Sequence, residues 1–136
     1  MPAEDQTQID RLATEFFAIF DNRRPGQDFE RLRDLVLPQA RITQIVDGGP
    51  KELTLDQFLL PRARLLTDGS LIDFHEWELD ATTHILGHAA ARISRYQKQG
   101  RLNGADYSGT GTKVFQLVRT QRGWRIHALL WEDQAH

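Results

Sequence analysis

Residues 109–133 read GTGTKVFQLVRTQRGWRIHALLWED, and the alternation within them decides the architecture. The pattern predicts a strand over Ser108 to Gln121, a turn at Arg122-Gly123 and a second strand over Trp124 to Asp133. Neither face of this hairpin is cleanly polar. One face holds Phe115, Leu117, His127, Leu129 and Trp131; the other holds Val114, Val118, Trp124, Ile126, Ala128 and Leu130. A sheet apolar on both sides needs cover on both sides. Helices elsewhere in the chain can cover one side, so a second copy of the chain is expected on the other, making a homodimer through the C-terminal strands.

Upstream, the alternating pattern extends back to Asp68-Gly69, with strands predicted over Leu71 to Ile85 and His88 to Gln99 and a turn at Gly87. Trp77, Leu79, Ala81, Thr83 and Ile85 then share an apolar face with Ala89, Ala91 and Ile93. The opposite face sets Glu76, Glu78 and Asp80 beside Arg92, Ser94, Tyr96 and Lys98, the cross-strand charge pairing of a wet surface. Gly100 to Tyr107, rich in Gly and Asn, reads as a mobile loop.

Before Asp68 the period is helical. Ile9, Leu12, Ala13, Phe16, Ile19 and Phe20 form an amphipathic stripe over about Asp5 to Asp21, widened by Phe17 and ended by Asn22 to Gly26. A short second helix follows, capped by Asp28, carrying Phe29, Leu32, Leu35 and Val36, and stopped by Pro38. Ala40 to Val46 suggests a strand and Asp47 to Pro50 a turn. Thr54 caps a third helix with Leu55, Phe58, Leu59 and Leu65, which Pro61 should kink or divide. The expectation is one α+β domain spanning 1–136, with N-terminal helices packed into the hollow of a curved antiparallel sheet.

Composition narrows the function. The chain has 136 residues, a hydrophobic fraction of 40%, a charged fraction of 26% and a net charge of -2 with both signs interspersed, so no nucleic-acid stripe is expected. Arg62, Arg64, Arg92, Arg95, Lys98 and Arg101 read as solvated surface charges. With no cysteine, disulfides, thiol nucleophiles and cysteine-type zinc or iron–sulfur sites are excluded. The polar start MPAEDQTQ lacks the basic patch and apolar run of at least about seven residues that a secretory signal needs, so the cytoplasm is the expected location. No stretch approaches the roughly twenty apolar residues of a membrane span.

The order of helix, short helix, strand, helix and four long strands, closing on Gly109 to Arg119 and Arg122-Gly123-Trp124-Arg125-Ile126, resembles the nuclear transport factor 2-like superfamily. That group includes ketosteroid isomerase-like and SnoaL-like proteins, and the resemblance covers about Ile9 to Asp133. It implies a cone-shaped, cystatin-like fold with a pocket between helices and concave sheet, usually in a homodimer. It also implies binding of a small apolar or amphipathic molecule, with isomerase, hydrolase or lyase activity among the family's chemistries. The alternative is a noncatalytic interaction or scaffold module whose cone is filled by its own aromatics.

A ketosteroid isomerase-like site would need a Tyr in the first helix and acids on the first strand and deeper in the sheet. This chain has Phe16 and Phe17, no acid in Ala40 to Val46, and none from Lys113 to Arg119. An epoxide hydrolase-like Asp-Arg-Asp set would find two members, Arg92 and Asp133, without a third.

The candidate catalytic residues are therefore His127, a base among apolar neighbours, and Asp133, an acid near the rim. His127 can equally be a buried core or interface histidine, and Asp133 a solvated carboxylate. Trp131 and Asp133 alternate with His127 and should share its side. Phe17, Phe20, Trp77, Tyr96 and Trp131 are the candidate ligand contacts. His75, His84 and His88 have no recognised ligand spacing, and His75 and Glu76 face opposite ways, so neither a metal nor a cofactor is expected. Gly109 and Gly111 enter a strand with no helix behind them, which points to a bend or bulge and not a phosphate loop.

Overall fold

The computed structural model describes residues 2–134. Helix α1 (Pro2–Ile19) buries Ile9, Leu12, Ala13, Phe16 and Ile19 on one side, as its spacing requires. Each such apolar side chain contributes about 1.5–3 kcal/mol. Both ends of α1 are tied to the sheet. Near its start, the Asp5 carboxylate accepts from Trp124 Nε1 at 3.1 Å and from Arg119. Just past its end, Asn22 Nδ2 donates to the carbonyls of Leu66 and Leu71, and Asn22 Oδ1 accepts from Phe74 N at 2.7 Å.

A single 3₁₀ turn (Phe29–Arg31) leads into a one-turn helix α2 (Leu32–Leu35), after which the chain extends at once into strand β1 (Val36–Val46). Pro38 therefore sits inside the strand. It falls where pairing with β6 is irregular, between Val36 and Arg41, which suits a residue without an N–H to donate. A short strand β2 (Gly49–Leu53) pairs back on β1, so the expected turn opens a hairpin. Helix α3 (Leu55–Thr67) starts with a capping box in which Gln57 N donates to the Thr54 hydroxyl and Thr54 N to the Gln57 side chain. Pro61 does not divide α3; it lies on the exposed side, where the carbonyl it leaves unpaired meets water.

Strands β3 (Leu71–Leu86), β4 (Ala89–Leu102), β5 (Ala105–Thr120) and β6 (Gly123–Asp133) complete a curved, unclosed sheet in the order β2-β1-β6-β5-β4-β3. Contacts are antiparallel except β1 with β6, which is parallel. The expected loop from Gly100 to Tyr107 is instead strand on both sides of a tight Asn103-Gly104 turn, paired down to Leu102 and Ala105. Gly100 is held against Phe74, where a Cβ would come within 3.1 Å of its backbone. No helix among the described residues is long and apolar enough to cross a membrane.

Bulges decide which side chains face inward. In β3 the register shifts first between Ile72 and His75, after which Phe74, Glu76 and Glu78 face inward, and again between Glu78 and Asp80, leaving Leu79 as the extra residue. In β6 it shifts opposite Gln116 and Leu117, leaving His127 extra. Trp124 and Ile126 are consequently buried on the inner side, as Leu129 and Trp131 are, while His127 turns out to solvent. Strict alternation puts His127 beside Trp131 and Ile126 on the outer face; the bulge reverses both assignments. The expected faces of β4, and of β3 as far as Leu79, are also exchanged, whereas Thr83 and Ile85 keep the inward side expected of them. Glu76, Glu78, Arg92, Ser94 and Tyr96 lie on the concave side beneath the helices, and Trp77, Ile93 and Ala91 on the convex side.

Candidate functional site

Between α1, α3 and the concave sheet lies a cavity of about 230 Å³. Its walls are aromatic: Phe16, Phe20, Phe58, Phe74 and Trp131, with Phe16 and Phe20 packed on Phe58 and the Phe58 and Trp131 rings edge to face at 5.3 Å. α3 brings Arg62 over this pair, its guanidinium 4.2 Å from the Phe58 ring and 5.0 Å from Trp131. Its Nη1 donates to the Phe58 carbonyl, and among the described residues no carboxylate comes within ion-pair distance of it.

The sheet contributes two ammonium–carboxylate pairs. Lys113 from β5 meets Glu76 from β3 at 2.9 Å, both nearly excluded from solvent. Lys98 from β4 meets Asp133 from β6 at 2.9 Å and donates to the Tyr107 hydroxyl at 3.2 Å. Tyr96, fully buried behind these groups, donates a short hydrogen bond to the other Asp133 oxygen. Tyr96 crosses Gly111 on the neighbouring strand, and a Cβ there would collide with its hydroxyl. Gly111 is therefore glycine to admit the ring, not to bend the sheet; pairing through Gly109 and Gly111 is regular.

Burial and partners set the protonation states. Burial pushes the Lys113 ammonium below the ordinary lysine range, against the pull of Glu76. For Lys98 burial is again the largest single influence and acts the same way, but the hydrogen bond and charge of Asp133, together with Tyr107, outweigh it and its pKa is raised. Burial also opposes the Asp133 charge, yet the bonds from Tyr96 and Lys98 hold that carboxyl below its usual range. The Tyr96 hydroxyl is driven far up, first by burial and then by Asp133, so it remains a donor. Arg62 is lowered by burial, with Glu76 the leading opposing charge. Two carboxylates, two ammonium groups and a guanidinium thus converge on an aromatic-walled space, a set able to accept a proton and to stabilise an oxyanion.

Of the residues singled out in the sequence, Phe20, Trp131 and Asp133 line this cavity, and Tyr96 supports it from behind. Asp133 is no free solvated carboxylate. Phe17 is buried one layer away, packed on Phe115 and 5.8 Å from Lys113. Trp77 stacks on His75 on the convex side, centroids 4.4 Å apart, outside the cavity. His127 lies in an outer-face groove with His84 and Leu86 and has no path to the cavity. The three other histidines that suggested ligands are dispersed, His88 lying against Arg119 at the far end of the sheet.

Arg62, Arg92 and Lys98 are not surface charges. Arg92 is almost wholly buried, held by Glu78, Asp10 and Thr83, and shares no bond with Asp133. Sequence reasoning missed Lys113, Glu76 and Arg62. A signal existed for two of them: Lys113 alternates with Phe115 and Leu117, and Glu76 with Phe74, all inward-facing.

No protein-family model and no curated protein sequence matches the chain. Solved structures do. The Kfla4162 protein of Kribbella flavida superposes with a TM-score of 0.81 at 18% identity, covering 99% of this chain and 94% of that one. An NTF2-like protein with a cystatin-like fold from Novosphingobium aromaticivorans gives 0.73 at 18% identity, covering 96% and 82%. The fold is nuclear transport factor 2-like. A proposed scytalone dehydratase from the same Novosphingobium species shares this fold at a TM-score of 0.77 and 10% identity, covering 98% and 87%. At these identities the likeness establishes architecture, and the residues inside the cone must speak for chemistry.

Proposed function

We propose that the protein binds a small amphipathic molecule in its cone and moves a proton on it, an isomerase- or lyase-type reaction. The observation that carries this reading is the convergence on one aromatic cavity of a buried Lys113–Glu76 bridge and, at its rim, a Lys98–Asp133 bridge whose carboxylate is partly open to solvent. A buried ion pair is a weak stabiliser compared with apolar packing, so a core under no functional demand has little reason to hold Lys113 and Glu76 beside a cavity. Asp133, ionised and oriented by Tyr96 and Lys98, is the base. It takes a proton from carbon next to a carbonyl, and the electron pair moves onto the carbonyl oxygen facing Lys113. Return of the proton at another carbon gives isomerisation; loss of a β-hydroxyl, protonated by Lys98, gives dehydration and water. Structural relatives described as dehydratases are in keeping with this class.

The test is exchange of carbon-bound hydrogen in D2O, followed by NMR, with single-ring ketones offered with and without a carboxylate. Exchange that disappears in a folded Asp133→Asn variant supports the reading; equal exchange in variant and wild type overturns it.

A homodimer through the convex face completes the proposal. Ile93 and Leu130 there are 47% and 37% exposed, next to half-buried Val114. These residues come from three adjacent strands and form an apolar strip that a second copy, related by a two-fold axis, would cover.

A further inference from the structure

Arg62 stands apart from the other charges of the cone. Lys113 and Lys98 each have a carboxylate at 2.9 Å, and Arg92 outside the cavity has two. Arg62 gives one hydrogen bond, to the Phe58 carbonyl, and otherwise rests on two aromatic rings. Arg62 lines the cavity, and none of its guanidinium nitrogens is fully enclosed without a partner. Three cations there face two carboxylates. Partial burial makes an unpaired guanidinium costly unless an anion joins it.

We propose that the cone selects a small aromatic monocarboxylate, its carboxylate on Arg62 and its ring against Phe58, Trp131 and Phe20. The proposal rests on the reading of the cone as a ligand site. A guanidinium presents a planar fork matched to a carboxylate, and here contact with the Phe58 and Trp131 rings holds that fork in place before the ligand arrives. One added negative charge balances the cavity. At 230 Å³ the space is smaller than the roughly 300–1,000 Å³ of drug-sized sites, which fits one ring and not a fused polycycle. Lys113 and Asp133, on strands opposite α3, would then meet the rest of the ligand, so that Arg62 sets its direction.

Benzoate, benzamide and benzylammonium have nearly the same shape and differ in charge, and their affinities can be compared by calorimetry and ligand-observed NMR at low salt. The expectation is that benzoate binds at least about tenfold more tightly than benzamide, with benzylammonium weakest. Arg62→Gln should bring the ratio of benzoate to benzamide affinity down to about one, whatever it does to either affinity alone; Arg62→Lys should keep part of the ratio. Should either variant fail to fold, the wild-type ranking alone decides. Benzamide equal to or tighter than benzoate leaves a ligand site standing and overturns the anion assignment. A preference that survives Arg62→Gln likewise overturns it. Failure of all three probes to bind removes the ligand site itself.

Discussion

Two charge networks occupy the concave face of one sheet, and only one of them borders space. Around Arg92, Nε and Nη2 grip Glu78, Nη1 reaches Asp10 and Thr83, and Ser94 donates to the same Glu78 carboxylate. That is four of a guanidinium's five N–H groups used, with no cavity beside them. Around Lys113, Lys98 and Arg62 the pairing is sparser, the walls are aromatic and the space is open. Both networks centre on buried cations and both use β3 and β4. The difference lies in saturation: a charge whose donors are all taken ties elements together, whereas one with donors to spare beside a cavity is available to a ligand.

The largest effect should come from breaking the saturated network. Arg92→Met leaves Glu78, 17% exposed, with Ser94 alone, and frees Asp10 on α1 from β4. A loss of about 3–5 kcal/mol in urea denaturation is expected. Arg62→Gln strands no carboxylate and should stay within about 1 kcal/mol of wild type. Equal losses for the two would erase the distinction between networks.

A second experiment sharpens the same contrast inside the cavity. Lys113→Met alone leaves Glu76 buried without its counter-ion and should cost about 3 kcal/mol. Adding Glu76→Leu removes the pair as a unit, and the double variant should recover to within about 1 kcal/mol of wild type or exceed it. Proton exchange on ligands should nevertheless be lost. A double variant as unstable as the single one would show that the pair holds the fold together.

Much of the fold was legible in the sequence because it rests on long patterns. The α1 stripe, the Thr54 cap and four strands of period two are each repeated over enough residues to outvote a local exception. The site was less legible because it depends on parity, and parity is changed by one residue. The extra residue at His127 turned a candidate base into a surface group, and the one between Ile72 and His75 turned Glu76 inward in place of Trp77. Charge misled in the other direction. Glu76, Arg92 and Lys98 opposite one another look like solvated cross-strand pairs, because composition does not reveal that helices cover that face. Asp133 and Trp131 were found because they lie beyond the bulge, on an uninterrupted stretch of β6.

The convex face offers a milder contrast with the concave one, since its apolar residues are exposed and few in contact. Ile93→Lys with Leu130→Lys should convert the proposed dimer to a monomer in sedimentation velocity. The monomer's own stability should move by less than about 0.5 kcal/mol, because no buried partner is lost. Wild-type protein sedimenting as a monomer at micromolar concentration would remove the proposed interface.

The smallest expected effects are in pH, where the cavity groups pull in opposite directions. Asp133 titrates below its unfolded value of 3.8, so the stability it adds is present above that pH and lost as pH falls through the folded value. Lys98 titrates above 10.5; its contribution is complete below 10.5 and lost as pH rises through the folded value. Lys113 has the reverse sign. Its folded pKa lies below 10.5, so between the folded value and 10.5 the unfolded chain binds more protons, and stability from this group rises with pH. The change cannot exceed about 1.4 kcal/mol per pH unit. Subtracting the urea midpoints of Lys113→Met from those of wild type isolates the term from every other lysine. The difference should climb as pH approaches 10.5 from below and flatten beyond it, while the Asp133→Asn difference should move only in acid. Parallel curves for wild type and Lys113→Met across the alkaline range would mean that Glu76 fully offsets the burial of Lys113. The ammonium would then be an ordinary paired charge, and the contrast between the two networks would have to rest on Arg62 alone.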